Sequence, residues 1–311
     1  MHSCCPNIHV AALLLACSTL ACGSTGEVSA PPLPEPPALA VPDSALTLPM
    51  REQPPEAWFG RSGCGTSTPP LSGPQTLTIA GKERSYVVQL PPGYDPSRRY
   101  PVLFGLHGAG GSGPSYMNGF PLRALWQDRA ILVFPSALFY ELDGRTTWRY
   151  PTEENLAFFD AMVGALDEGL CLDRERIFAS GFSSGGFFSN TLGCRRGGVV
   201  RAIVPVAGGD RDFDDRCVGH VAVLVISSPL DSSDPTGGPP GISHHERGLQ
   251  ARDYFRERNG CQEASEPVGP DGCVQYQGCL PGAEVRYCEH GQGHAWPSQL
   301  HAPAADFLAS Y

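Results

Sequence analysis

Gly181-Phe182-Ser183-Ser184-Gly185 sets a serine between two glycines in the pattern G-x-S-x-G. Ile177-Phe178-Ala179 ahead of it reads as a short buried strand, and Phe187 to Cys194 behind it can continue as a helix. Between strand and helix the pattern predicts a sharp elbow that lifts the serine hydroxyl out of the sheet. The same turn aims the first helical N–H groups at an oxygen beside it. Glycines flank the serine because a Cβ at either place would collide with the elbow's backbone. A serine hydroxyl is a weak nucleophile near neutral pH. It needs a base in hydrogen-bond reach, a carboxylate that fixes the base's tautomer, and donors for the developing oxyanion.

Two later residues fill those roles in the order serine, acid, histidine. Asp231 stands five residues past the apolar run that ends at Ile226, and His294 lies just beyond the run that ends at Cys288. His294 sits in Gly291-Gln292-Gly293-His294-Ala295-Trp296-Pro297, a glycine-flanked loop suited to presenting an imidazole, and its rivals are His290 and His301. Asp234 competes with Asp231 as the acid, but it precedes Pro235, which forces extended or turn geometry there. The oxyanion donors are expected from the N–H of Ser184 and from the His107–Gly110 loop, at Ala109. This chemistry calls for no cofactor and no metal. Cys273, Cys279, Cys288, His290 and His294 do cluster near the C-terminus, but without the C-x2-C spacing of a zinc knuckle.

The elements that must position these residues follow from periodicity. Thr76 to Ile79 and Tyr86 to Leu90 alternate apolar and polar around Ala80-Gly81-Lys82, an edge hairpin. Val102 to Leu106 and Ile131 to Phe134 are continuous apolar runs, as in strands buried on both faces, and Ala202 to Ala207, Val221 to Ile226 and Val285 to Cys288 are three more strands. Glu153 to Leu170 carries apolar residues at helical spacing, with Thr152 as its N-cap. Further helices are predicted from His244 to Asn259, stopped by Gly260, and from Ala304 to Tyr311. Strands alternating with helices imply an α/β domain with a mostly parallel sheet and helices on both faces.

Net charge is −10 over 311 residues, which argues against a nucleic-acid partner. Residues 1–22 look like a secretion signal around Val10 to Ala16, although no Lys or Arg precedes Arg51. Leu14-Leu15-Ala16-Cys17 and Thr19-Leu20-Ala21-Cys22 both resemble a lipoprotein box, so a lipid anchor at Cys17 or Cys22 and plain secretion stand side by side. Residues 23–57 are Pro-rich and read as a semi-rigid spacer, with the catalytic domain spanning 58–311. Eight cysteines follow the signal, and in an exported chain they imply four disulfides. Cys273–Cys279 and Cys194–Cys217 are the local pairs expected.

Longer stretches resemble a family. Gly63-Cys64-Gly65, Arg84 to Asp95, Leu106-His107-Gly108, Cys171 to Phe178, the elbow, Asn259-Gly260-Cys261, Cys273 to Cys279 and Gly293-His294 are similar to secreted esterases of the feruloyl esterase and poly(3-hydroxybutyrate) depolymerase group. The resemblance runs from about 60 to 311 in one register. The cysteine-flanked Tyr276 segment and Tyr287-Cys288 lean toward the feruloyl branch. It implies an α/β-hydrolase fold stapled by disulfides, and a monomeric, exported serine carboxylesterase. Its substrate would be a feruloyl or related ester of plant-wall polysaccharide, with a poly(3-hydroxybutyrate)-type polyester as the alternative. Where the group carries His-Gly before the acid, this chain has Ser227-Ser228. A non-catalytic binding protein on the same scaffold is the alternative of another class.

Overall fold

The computed structural model describes residues 59, 61–66, 70–149, 152–209, 213, 214, 216–232, 242–269 and 271–311. The segments read as signal (1–22) and spacer (23–57), the lipoprotein boxes, Trp58 and Asp234 lie outside the described residues. No helix among the described residues is long and apolar enough to cross a membrane.

Six parallel strands form the middle of a ten-stranded sheet. In spatial order they are β4 (Ile131–Pro135), β3 (Tyr100–Leu106), β7 (Leu172–Phe182), β8 (Val200–Val206), β9 (Ala222–Ser227) and β12 (Val285–Glu289). Two antiparallel hairpins close the ends. β1 (Gly73–Ile79) and β2 (Lys82–Gln89) lie beyond β4, while β11 (Cys273–Tyr276) and β10 (Ser265–Val268) lie beyond β12. A separate small hairpin, β5 (Phe139–Tyr140) and β6 (Arg145–Thr146), rises after β4. The β1–β2 turn is at Ala80-Gly81, both with positive φ, as the tightest hairpin turn requires.

Each central strand divides its side chains between two cores, because successive residues point to opposite faces. Val102, Phe104, Ile177, Ala179, Val223 and Val225 enter one core, which is covered by α3 (Thr152–Gly169), α4 (Ser184–Arg195) and α5 (His244–Arg258) through Phe159, Leu192 and Phe255. Leu103, Phe178, Ala202, Val204, Leu224 and Ile226 enter the other. That core is covered by α2 (Arg123–Trp126) and α6 (His301–Ala309) through Trp126 and Phe307. A further helix, α1 (Gly113–Gly119), follows the loop after β3 and is capped by Ser112. This is the α/β-hydrolase fold, and the strands and long helices expected from periodicity are present. Several boundaries move: Thr152 is the first residue of α3 rather than its cap, the last helix runs His301–Ala309 rather than Ala304 to Tyr311, and the strand before the elbow extends over Leu172–Phe182.

Four disulfides join Cys64–Cys171, Cys194–Cys217, Cys261–Cys279 and Cys273–Cys288. The Cys194–Cys217 expectation holds, but the expected Cys273–Cys279 pair is wrong. Cys273 opens β11 directly opposite Cys288 on β12, with the Cα atoms 4.1 Å apart. Extended chain at about 3.3 Å per residue then carries Cys279 away from Cys273 and back to Cys261, 3.8 Å distant between Cα atoms. The zinc cluster loses its sulfur ligands for the same reason: Cys273, Cys279 and Cys288 are all oxidised.

The Cys64–Cys171 bridge spans 107 residues and Cys273–Cys288 only 15. On the chain-entropy model the first is worth about 4.7 kcal/mol and the second about 3. Removing the pair 64/171 by alanine substitution should therefore lower the unfolding free energy more than removing 273/288. Urea unfolding of the two double variants checks the order.

Candidate active site

Ser183 sits where β7 turns into α4, at φ 55° and ψ −119°. That is strained for a residue with a side chain and costs of order 1–3 kcal/mol. The elbow is held by Ser183 N donating to Val206 O at 2.9 Å and by Phe187 N donating to Ser183 O at 3.0 Å. Its glycines are forced by contact. A Cβ on Gly185 would lie 2.0 Å from Leu106 O, and one on Gly181 would lie 2.4 Å from Gly185 C.

The structure brings Ser183, His294 and Asp231 into one chain of contacts. The Ser183 hydroxyl lies 3.0 Å from His294 Nε2, and His294 Nδ1 lies 2.7 Å from Asp231 Oδ2. The His294 ring packs on Phe182, 4.8 Å between centroids. Of its rivals, His290 is buried, and desolvation pulls its pKa below the usual histidine value; His301 opens α6, with Nε2 3.4 Å from Trp296 O. All three residues in contact leave the C-terminal ends of parallel strands β7, β9 and β12, where α/β sheets place their sites.

Ser228 ties the acid to the base. Its hydroxyl oxygen accepts from Leu230 N and from Gly293 N, both at 3.2 Å, so one buried side chain spans the loops that carry Asp231 and His294. Ser227 O accepts from His290 N at 3.1 Å, which pins the root of the same two loops. The serine pair noted as a departure from the family pattern is thus built into the loop geometry.

The His107–Gly110 loop lies beside the elbow: a Cβ added at Gly108 would meet the Ser183 Cβ at 3.6 Å. His107 is buried and fixes this loop. Its Nε2 accepts from Ala137 N at 3.0 Å, which leaves Nδ1 to donate to Gly108 O at 2.6 Å. Burial lowers its pKa, consistent with that neutral tautomer. Gly110 N donates to Thr146 O, and Gly111 N donates back to Gly108 O. The Ser184 hydroxyl, 2.9 Å from Thr147 Oγ1, accepts from Trp148 N at 3.0 Å and roots the β5–β6 hairpin on the elbow. Trp148 Nε1 donates to His107 O, and its ring stacks on Phe188 at 5.0 Å. Spacing along the chain gave no sign of Thr147 or Trp148 at the site, because each arrives there through packing between distant elements.

The fold is similar to that of an acetyl xylan esterase from Aspergillus awamori, at a TM-score of 0.56 and 11% identity, covering 76% of this chain and 100% of that one. No protein-family model matches the sequence. Feruloyl esterase D of Neurospora crassa is 33% identical over 254 residues, 76% of this chain and 83% of its own length. Feruloyl esterase C of Emericella nidulans is 31% identical over 244 residues, 74% of this chain and 84% of its own. The chain is a serine carboxylic ester hydrolase. More narrowly, it belongs to the feruloyl esterase family.

Proposed function

We propose that this chain is an exported esterase that hydrolyses feruloyl or related aryl esters of plant-wall polysaccharide through Ser183, His294 and Asp231. The observation that carries the reading is the unbroken contact from the Ser183 hydroxyl through His294 to Asp231. Ser183 Oγ attacks the ester carbonyl carbon while its proton passes to His294 Nε2. Asp231 holds the imidazole through Nδ1–H and stabilises the imidazolium. The carbonyl oxygen, now negative, faces the N–H groups of Ser184 and Ala109. Ser184 opens α4, where N–H groups have no partner within the helix, and Gly110 and Gly111 are already committed elsewhere in the loop. His294 returns the proton to the departing alkoxide, which leaves as the alcohol. Water, deprotonated by His294, then attacks the acyl-enzyme and releases the acid.

The aryl preference draws support from the relatives and from the rim. Leu230, next to Asp231 in the chain, is 65% exposed, an apolar side chain available to an aromatic acyl group. Four disulfides fit an oxidising destination outside the cell. A hydrolysis panel of methyl ferulate, p-nitrophenyl acetate and 3-hydroxybutyrate oligomers tests the substrate class. The expected order puts methyl ferulate first in kcat/KM. Preference for the hydroxybutyrate oligomers would move the chain to the polyester reading. Failure of a fluorophosphonate to label Ser183 would move it to the binding protein.

A further inference from the structure

Asp231 faces two imidazoles. While Oδ2 is 2.7 Å from His294 Nδ1, Oδ1 is 3.5 Å from His244 Nδ1. The side chains of Asp231 and His244 are each only 1% exposed, against 33% for His294. His244 is the first residue of α5, set there by the Ser243 cap, whose hydroxyl accepts from Glu246 N. Its ring lies 4.6 Å from the His294 ring and 5.7 Å from that of Phe187. The backbone is joined as well: His245 N donates to Asp231 O at 3.4 Å.

We infer that His244 is a positioning residue that holds Oδ1 of Asp231 and so keeps Oδ2 on His294. The inference rests on reading Ser183, His294 and Asp231 as the triad. The terminal torsion of a carboxylate, about its Cβ–Cγ bond, is soft, so each group that faces its oxygens helps to set its plane. A donor on the second oxygen fixes the plane. It also offsets part of the cost of burying the charge, which unpaired carboxylates avoid by changing protonation or finding partners. An imidazole N–H is a measured choice for the task. An arginine or lysine there would bring a full fixed charge against Asp231, competing with the imidazolium that forms on His294 during the reaction. At 3.5 Å the His244 approach is an ion-pair distance, longer than the 2.7 Å contact that Oδ2 makes with His294.

Two substitutions separate the N–H from the ring. His244→Asn keeps a donor near the place of Nδ1 but gives up ring volume, whereas His244→Phe keeps the volume and gives up the donor. His244→Phe should lower kcat by roughly 10- to 100-fold, the scale found for partners that orient a working group from behind. KM should stay within about twofold, and the fluorophosphonate labelling rate of Ser183 should fall in parallel with kcat. His244→Asn should retain most of the wild-type kcat. Equal losses in both variants, or no loss in His244→Phe, would overturn the inference. If His244→Phe does not fold, His244→Leu is read in its place. A cycle with Asp231→Asn adds a second reading: the His244 effect should vanish in that background, and full additivity of the two effects counts against the inference. The cycle also tells the two levels apart. A large loss in Asp231→Asn with none at His244 leaves the triad standing without its positioning residue, while no loss in Asp231→Asn removes the triad itself.

Discussion

Ser183→Ala is expected to lower the rate of ester hydrolysis by on the order of 10^3-fold or more, leaving a residue of rate from binding and the oxyanion donors. The hydroxyl stands at the elbow 3.0 Å from His294 Nε2, so its loss removes the atom that the proposed mechanism acylates. Stability should scarcely change. Alanine meets the same positive φ as serine, and Ser183, although buried, belongs to neither core, so loss of one oxygen opens no cavity there. The measurements are kcat on p-nitrophenyl acetate and the midpoint of thermal unfolding, with fluorophosphonate labelling as a check. Activity near wild type with an unchanged midpoint would place the nucleophile elsewhere.

Asp231→Asn should lower kcat by about 10^4-fold. In the wild type, Oδ2 can only accept, so the proton of His294 resides on Nδ1 and Nε2 is left to receive the proton of Ser183. An amide NH2 in place of Oδ2 donates to Nδ1, which drives the ring proton to Nε2 and turns the base into a second donor against the hydroxyl. Asparagine matches aspartate in volume, so the folded state should persist. Asp234→Asn serves as the control and should have a far smaller effect. A larger loss at Asp234 than at Asp231 reverses the assignment of the acid.

Much of this architecture is legible in the chain, and the reasons are physical. Strands such as β3, β4 and β9 are buried on both faces, so each appears as an unbroken apolar run with no polar interruption. Ser183 is marked by its glycines because the close approach of Gly185 to Leu106 O tolerates no side chain. Asp231 and His294 are found from their distances past strand ends, which the sheet then brings side by side. What stays hidden depends on pairing between segments that carry little signal of their own. β10 is polar, short and largely exposed, so its hairpin with β11 has no apolar rhythm, and the Cys273–Cys288 register could not be read from it. His244 reads simply as the start of a helix. Its approach to Asp231 comes from how α5 packs beside β9, and neighbouring residues do not encode that packing.

The ten-stranded sheet does not close on itself, and its outermost strands are β1 and β10. Such margins offer rows of backbone groups on which another chain can build, the route by which sheet proteins stick to one another at high concentration. Here each margin carries a proline: Pro74 in β1 and Pro267 in β10. Proline has no N–H to offer an incoming strand and is accommodated only at a sheet's edge. Glu266 adds a charge to β10, which is only four residues long. The sheet therefore ends in strands that are poor templates, and copies of the enzyme at high concentration meet an interrupted row of backbone donors at either margin.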